Sequence, residues 1–125
     1  MKEIYVKYRT AVLLKNAGFK EKCDAYYNSW KQFTPSDEID NFNRGKFITF
    51  SAPRLSFVRD WLLKKHDLYI KVDYDDLNWN WNAISVSEDV PVEQRPLVLY
   101  HGDAGWKSFD EALEKGVVYA LKNLI

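Results

Sequence analysis

Residues 51–74, SAPRLSFVRDWLLKKHDLYIKVDY, carry a helical pattern that passes directly into a strand pattern. Pro53 suits the first turn of a helix, with Ser51 or Ala52 as its cap. Apolar residues then recur at three- and four-residue spacing, which places on one helix face Leu55, Val58, Trp61 and Leu62. The period next changes to two, as in a strand with one buried side, over Leu68, Ile70, Val72 and Tyr74. This stretch predicts a helix followed at once by a half-buried strand.

The end of the chain predicts another amphipathic helix. Ser108 and Glu111 have the spacing of a capping box. The apolar stripe that follows consists of Phe109, Ala112, Leu113, Gly116, Val117, Ala120, Leu121 and Leu124. Gly116 lies within this stripe although glycine costs a helix about 1 kcal/mol. We therefore expect the helix backbone at Gly116 to pack closely on an aromatic ring or on the sheet.

The first half of the chain predicts one more helix and less regular segments. Residues 8–17 have a helical stripe that Gly18 ends in the left-handed conformation. Residues 20–24 are a polar stretch that could form another helical turn. Residues 25–33 are rich in aromatic residues and predict one strand. The polar residues 34–45 predict a long loop.

Further strands are predicted on both sides of the central unit. Residues 79–86 should return antiparallel to the first strand, with a bulge because the apolar residues change parity within the segment. Residues 101–105 predict a flexible turn. The shorter strands are predicted at residues 47–50 and 97–100. Together these elements predict one α+β domain over residues 1–125, with a mostly antiparallel sheet and about three helices packed chiefly on one face.

Length and composition agree with that class. A chain of 125 residues with 46% hydrophobic and 16% aromatic residues can form a folded core. Its single cysteine, Cys23, excludes an internal disulfide and fits a reducing compartment. The sequence opens without a charged-then-apolar leader, and no apolar run approaches the roughly 20 residues of a membrane span. We therefore expect a cytoplasmic protein with no membrane partner.

Charge is segregated along the chain although the formal net charge is zero. Residues 44–71 contain seven Lys or Arg residues and two acids, whereas residues 72–93 contain six acids and no Lys or Arg. Such asymmetry can steer a charged partner. The simpler interpretation, that these charges are solvated at loops and hairpin ends, is favoured.

Three segments together resemble a known family. They are residues 15–19 with 23–27 (KNAGF and CDAYY), residues 51–70, and residues 108–121 (SFDEALEKGVVYAL). The chain resembles small uncharacterised proteins encoded by phages and integrated mobile elements of gut bacteria. The resemblance implies a mobile-element origin and an intracellular setting. It implies no activity, and no functional residue is transferred with it.

The sequence shows no pattern typical of a metal site, a cofactor site or a catalytic site. His66, His101 and Cys23 have no partner at ligand spacing. A catalytic cysteine needs a base beside it. A lone cysteine is more commonly a small apolar residue of the core. The segment 101–105, HGDAG, lacks the Lys-Ser/Thr of a phosphate-binding loop. We therefore predict no cofactor, and we do not expect an enzyme.

Aromatic residues are the one excess, with five Trp, eight Tyr and seven Phe. Trp79 and Trp81 alternate with asparagines, a pattern that suits either of two roles. Their rings could stack on a partner, since Trp and Tyr dominate binding hot spots. The favoured interpretation is that Trp79 and Trp81 pack under the last helix and face Gly116.

Three hypotheses of function remain. The leading one is a protein-interaction module of a phage or mobile element, which binds another protein or itself. The second is a nucleic-acid-binding protein, which the zero net charge disfavours, with candidate residues Arg54, Arg59, Lys64 and Lys65. The third is a small ligand-binding protein or enzyme with an aromatic pocket. Candidates for partner binding, which would also line that pocket, are Trp79, Trp81, His101 and Trp106.

Overall fold

The computed structural model describes residues 4–44 and 48–125, and these ranges contain three α-helices and six β-strands. The helices are α1 (Tyr8–Asn16), α2 (Leu55–His66) and α3 (Phe109–Asn123). The strands are β1 (Cys23–Tyr27), β2 (Phe33–Asp40), β3 (Phe50–Ser51), β4 (Leu68–Asp75), β5 (Asn78–Ser85) and β6 (Leu97–Trp106). All strand pairs are antiparallel, which confirms the predicted α+β class. The strands form two three-stranded sheets where one sheet was expected.

Contacts within the chain define two compact units, Met1–Arg54 and Leu55–Ile125, called unit 1 and unit 2 below. Unit 1 contains α1 and a sheet with the strand order β2-β1-β3. Unit 2 contains α2, α3 and a sheet with the strand order β4-β5-β6.

Helix α1 ends as its sequence predicts. Gly18 has a φ of +84°, and its N–H donates to Lys15 O at 3.1 Å. The N–H of Phe19 donates to Leu14 O at 3.0 Å, which completes a Schellman cap. Phe19 is buried, so the cap also directs a large apolar side chain into the core of unit 1.

Three predictions for residues 20–45 were wrong. Residues 25–33 are two strands joined by a turn, because β1 ends at Tyr27 and β2 begins at Phe33. Cys23 and Asp24 belong to β1 and not to a helical turn. Much of the expected loop 34–45 is β2, a strand at the edge of its sheet. Most of its side chains are exposed and polar, so the composition of residues 34–40 does not indicate a strand.

Helix α2 begins two residues later than Pro53 suggests. Ser51 lies in β3, opposite Tyr26. The N–H of Ala52 donates to Ala25 O at 3.0 Å, and Pro53 O accepts from the N–H of Val6 at 2.9 Å. These bonds hold the chain extended up to Pro53, so tertiary pairing overrides the preference of proline for a first helical turn. Of the strand predicted at residues 47–50, Phe47 lies outside the described residues.

The β4–β5 hairpin forms as predicted, with unbroken pairing from Leu68 opposite Ser85 to Asp75 opposite Asn78. The predicted bulge is found on the other side of β5, where the pairing with β6 is irregular at three points. One of these irregularities contains Gly105, whose φ is +99°. Residues 101–105 belong to β6, so the predicted turn there was wrong.

The core of unit 2 joins both helices to the sheet. The α2 face predicted from its spacing is buried: Leu55, Val58, Trp61 and Leu62. Ser108 Oγ accepts from the N–H of Glu111 at 3.1 Å and so caps α3. Trp81 is 4% exposed and faces Gly116, which confirms the favoured interpretation for this tryptophan.

Candidate partner-binding site

The most exposed aromatic side chain in residues 4–44 and 48–125 is Trp30, at 80%. It lies in the turn between β1 and β2, in unit 1. The sequence predicts Trp30 within a single strand over residues 25–33, but the chain reverses direction between Tyr27 and Phe33. An apolar surface of this size, held in water, is typical of a binding residue.

The turn that carries Trp30 is held by Asn28. The side-chain Oδ1 of Asn28 accepts from the backbone N–H of Trp30 at 2.9 Å and of Gln32 at 3.0 Å. Its Nδ2 donates to Gln32 Oε1 at 3.2 Å. A backbone bond from Lys31 N to Asn28 O, 2.9 Å long, closes the turn, and Lys31 has a φ of +62°. The backbone of the turn that carries Trp30 is therefore ordered before any partner binds, which lowers the entropic cost of association.

An open groove of about 840 Å³ adjoins this turn. Asn28 and Ser29 line its end nearest Trp30, and its apolar lining consists of Tyr26, Phe42 and Ile48. The rings of Tyr26 and Phe42 are 4.7 Å apart with an angle of 32° between their planes. Exposed Ile48 adds an aliphatic side chain to this lining. The volume lies within the range of pockets that take small ligands or peptide side chains.

The polar rim of the groove carries one ion pair. Arg44 Nη2 lies 3.0 Å from Asp40 Oδ1, and both side chains are substantially exposed. An exposed pair of this kind contributes little to stability, in general no more than about 1 kcal/mol. Both charges remain accessible to a partner, so the rim can accept or donate hydrogen bonds.

The Phe42 wall of the groove is held by a network around Asn43. Asn43 Oδ1 accepts from the N–H of Ser51 at 2.8 Å, and its Nδ2 donates to Phe19 O at 2.9 Å. Ser51 Oγ accepts from the N–H of Phe42 at 2.9 Å. Three backbone groups are thereby bonded to side chains, and two of them, at Phe19 and Phe42, lie outside the helices and strands. The wall is therefore preorganised.

Cys23 does not supply a nucleophile. It is buried in β1, and burial raises the pKa of its thiol to about 11 from an ordinary value of 9.0. A hydrogen bond to Ser51 lowers the pKa, and the charges of Asp24 and Glu21 raise it further. Its Sγ–H group donates to Glu21 O at 3.6 Å. The thiol is protonated at neutral pH, whereas the reactive form of cysteine is the thiolate.

The four residues predicted for partner binding do not gather in one pocket. Trp81 is buried, and Trp79 and Trp106 are half-buried neighbours on β5 and β6. Trp106 Nε1 donates to Asp103 O at 2.9 Å. His101 is opposite Asn82 and bonds to it, Nδ1 to Oδ1, at 2.9 Å. Since successive strand residues point to opposite faces, His101 lies on the other side of the sheet from Trp81.

The four residues predicted for nucleic-acid binding are divided between the units. In unit 1, Arg54 pairs with Asp24 at 3.2 Å and lies over the Tyr5 ring at 4.9 Å. In unit 2, the Arg59 guanidinium lies 5.4 Å from the Tyr69 ring and 5.7 Å from the Phe109 ring. Lys64 and Lys65 are exposed in the last turn of α2. Both arginines are thus engaged in contacts within the protein.

No group of three or more His, Cys, Asp or Glu side chains that could hold a metal ion occurs in residues 4–44 and 48–125. Over the same two ranges, no helix has the length and apolar character needed to cross a membrane.

Comparisons with protein-family models, with curated proteins and with solved structures find no match. The Trp30 turn and its groove were missed by the sequence analysis. A signal was present, because Asn28 opens the polar segment NSWKQ between two aromatic residues, and asparagine is typical of turns.

Proposed function

We propose that this protein is a protein-interaction module that binds its partner in unit 1 through Trp30 and the adjoining groove. We call these residues, Trp30 with Tyr26, Phe42 and Ile48, the Trp30 surface. The observation that carries the proposal is Trp30 itself, 80% exposed on a turn fixed by Asn28. Burial of a whole tryptophan, 150–250 Å² at about 25 cal/mol per Å², stabilises by at most about 4–6 kcal/mol.

The remainder of the surface has the anatomy of an interface. Its centre is aromatic and aliphatic, and Asp40 and Arg44 form a polar rim. Interfaces of non-obligate complexes combine such an apolar centre with a solvated polar edge. The preorganised walls support binding without a large ordering cost.

The family resemblance supplies a setting for the proposal. In a phage or mobile element, the partner would be a protein of the host or of the element, met in the cytoplasm. Nucleic-acid binding is favoured less, because Arg54 and Arg59 already contact Asp24 and aromatic rings. An enzymatic function is also favoured less, since the Cys23 thiol is protonated at neutral pH.

Affinity capture tests the proposal. The tagged full-length protein, a Trp30→Ala variant and a Val92→Ala variant are each exposed to extract of cells that encode the protein, with and without nuclease treatment. Val92 is an exposed apolar residue of unit 2 and serves as the control for removing surface apolar area. We expect the same specific protein with the wild type and with Val92→Ala, and its loss with Trp30→Ala. Equal capture by all three proteins contradicts the proposal, as does captured material that is lost on nuclease treatment.

A further inference from the structure

Three aromatic rings follow one another along unit 2, from the end of the β4–β5 hairpin to the start of α3. The Tyr74 and Trp79 ring centroids are 4.9 Å apart, and the Trp79 and Phe109 centroids are 5.9 Å apart. Tyr74 is 55% exposed and Phe109 is also exposed, with half-buried Trp79 between them. We call these three residues the aromatic ledge. Its ends are accessible and its middle is anchored in the fold.

The turn at the end of this hairpin adds an exposed apolar side chain. Asp76 and Leu77 form the two-residue connection, with φ values of +48° and +65°. Such turns favour Asn-Gly or Asp-Gly, because only glycine adopts positive φ without cost. Leu77 is nevertheless 85% exposed, the highest value among the exposed large hydrophobic residues of the described chain. Because the Leu77 side chain buries little apolar area, its packing does not offset the free-energy cost of the positive φ.

Acidic residues accompany the ledge at both ends. Asp75 and Asp76 lie at the hairpin end, within the segment 72–93 that contains no Lys or Arg. Asp110 and Glu111 occupy the first turn of α3, next to Phe109. Basic residues also occur at that end: Lys107 precedes Phe109 by two positions, and the Arg59 guanidinium lies over the Phe109 ring at 5.7 Å. An apolar strip whose ends carry acids is complementary to an apolar strip whose cations lie opposite those acids.

Two turns of a helix are long enough to cover the ledge. The two centroid distances set an upper limit of about 11 Å on the separation of the Tyr74 and Phe109 rings, and residues i and i+7 of an α-helix are about 10.5 Å apart along its axis. We infer that the aromatic ledge and Leu77 bind a basic amphipathic helix of a partner protein. The apolar face of that helix covers the rings and Leu77, and its lysines or arginines face the acids. This surface lies in unit 2 and does not depend on the Trp30 surface.

A designed peptide serves as the probe. A helix-forming peptide of leucine and lysine, about 14 residues or ~21 Å long, with leucines at three- and four-residue spacing, is titrated into the ¹⁵N-labelled full-length protein. We expect backbone amide shifts concentrated at residues 73–79 and 108–111, with weaker binding at higher salt. A peptide with glutamate in place of lysine is the control. Equal binding of both peptides, or shifts centred elsewhere, overturns the inference.

Variants identify the residues responsible. Tyr74→Ser should weaken binding about fivefold or more, and Asp75→Asn with Asp76→Asn should reduce its salt dependence. Leu77→Gly should weaken binding while raising the midpoint of thermal unfolding, which separates recognition from folding. Trp30→Ala and Val92→Ser should bind the peptide as the wild type does. If Tyr74→Ser and Leu77→Gly bind the peptide with unchanged affinity, the inference is wrong.

Discussion

Gly116 of α3 lies directly against Trp81 of β5, so that a Cβ atom on Gly116 would come within 3.2 Å of the indole atoms Cδ2 and Cε3. The same atom would lie 2.5 Å from Ile70 Cγ2. The indole also lies close to the backbone of Gly102 in β6, where a Cβ atom would overlap the ring. Two glycines from different elements thus make room for one buried tryptophan, which fixes the distance of α3 from the sheet.

Gly116→Ala should destabilise the protein. Helix propensity alone would favour alanine by about 1 kcal/mol, but an added methyl group in this packed site should cost about 1–3 kcal/mol, so the expected net loss is up to about 2 kcal/mol. Urea unfolding of the wild type and variant measures the difference. Ser56→Ala, at an exposed position of α2, is the control and should change stability little. A variant at Gly116 that is more stable than the wild type would show that α3 can move away from Trp81.

Leu77→Gly should stabilise the hairpin of unit 2. The left-handed conformation costs a leucine about 1–2 kcal/mol, whereas the greater freedom of glycine in the unfolded chain offsets about 0.5–1 kcal/mol of the gain. The expected increase in unfolding free energy is therefore about 0.5–1 kcal/mol, measured by thermal or urea unfolding. Leu77→Ala, which keeps a Cβ atom, should not show this increase. Equal stability of the alanine and glycine variants would contradict the assignment of strain to Leu77.

Asn28→Ala should loosen the turn that carries Trp30. It removes both bonds to Asn28 Oδ1 and should cost about 1–2 kcal/mol. Amide hydrogen exchange at Trp30 and Gln32 should become faster, while exchange in unit 2 stays unchanged. Asn28→Asp keeps the acceptor oxygen and should retain most of the protection. If Asn28→Asp loses as much protection as Asn28→Ala, the bond from Nδ2 to Gln32 matters more than the two bonds to Oδ1.

The Cys23 thiol should resist alkylation at neutral pH. Its reaction with iodoacetamide should be slow in the folded protein, should accelerate as the pH approaches 11, and should be fast near pH 9 once the protein is unfolded. The folded-state pKa is raised, so the unfolded state loses its proton first. The thiol's contribution to stability is therefore complete below about pH 9 and is lost as the pH rises toward 11. Cys23→Ala should lack this part of the decrease; an identical alkaline decrease in both proteins would contradict it.

The elements with a buried face could be predicted from the sequence, and the strands that are exposed along most of their length could not be predicted in full. The stripes of α2 and α3 repeat at the helical period because their side chains are buried on one face. Strands β2 and β6 are exposed along most of their length, so no alternation of apolar and polar residues marks them. The start of α2 depends on backbone bonds to Val6 and Ala25, which are distant in sequence.

The candidate site follows the same distinction. Trp81 could be predicted to face Gly116, because a glycine within an apolar helical stripe implies a close neighbour. Trp30 was assigned to a strand, since its aromatic neighbours have a strong β-propensity. Trp30 lies in the turn because Asn28 accepts hydrogen bonds from two backbone N–H groups, and the sequence alone does not identify these donors.

The irregular pairing of β6 has a consequence for the behaviour of the protein at high concentration. Strand β6 uses three more residues than β5 to cover the same length, one at each of the three irregularities. The free N–H and C=O groups on its outer edge are therefore out of step with those of any regular strand. A ten-residue strand at the border of a sheet would otherwise serve as a template for fibril growth. The bulges that accommodate Gly105 and its neighbours thus also act as protection against aggregation.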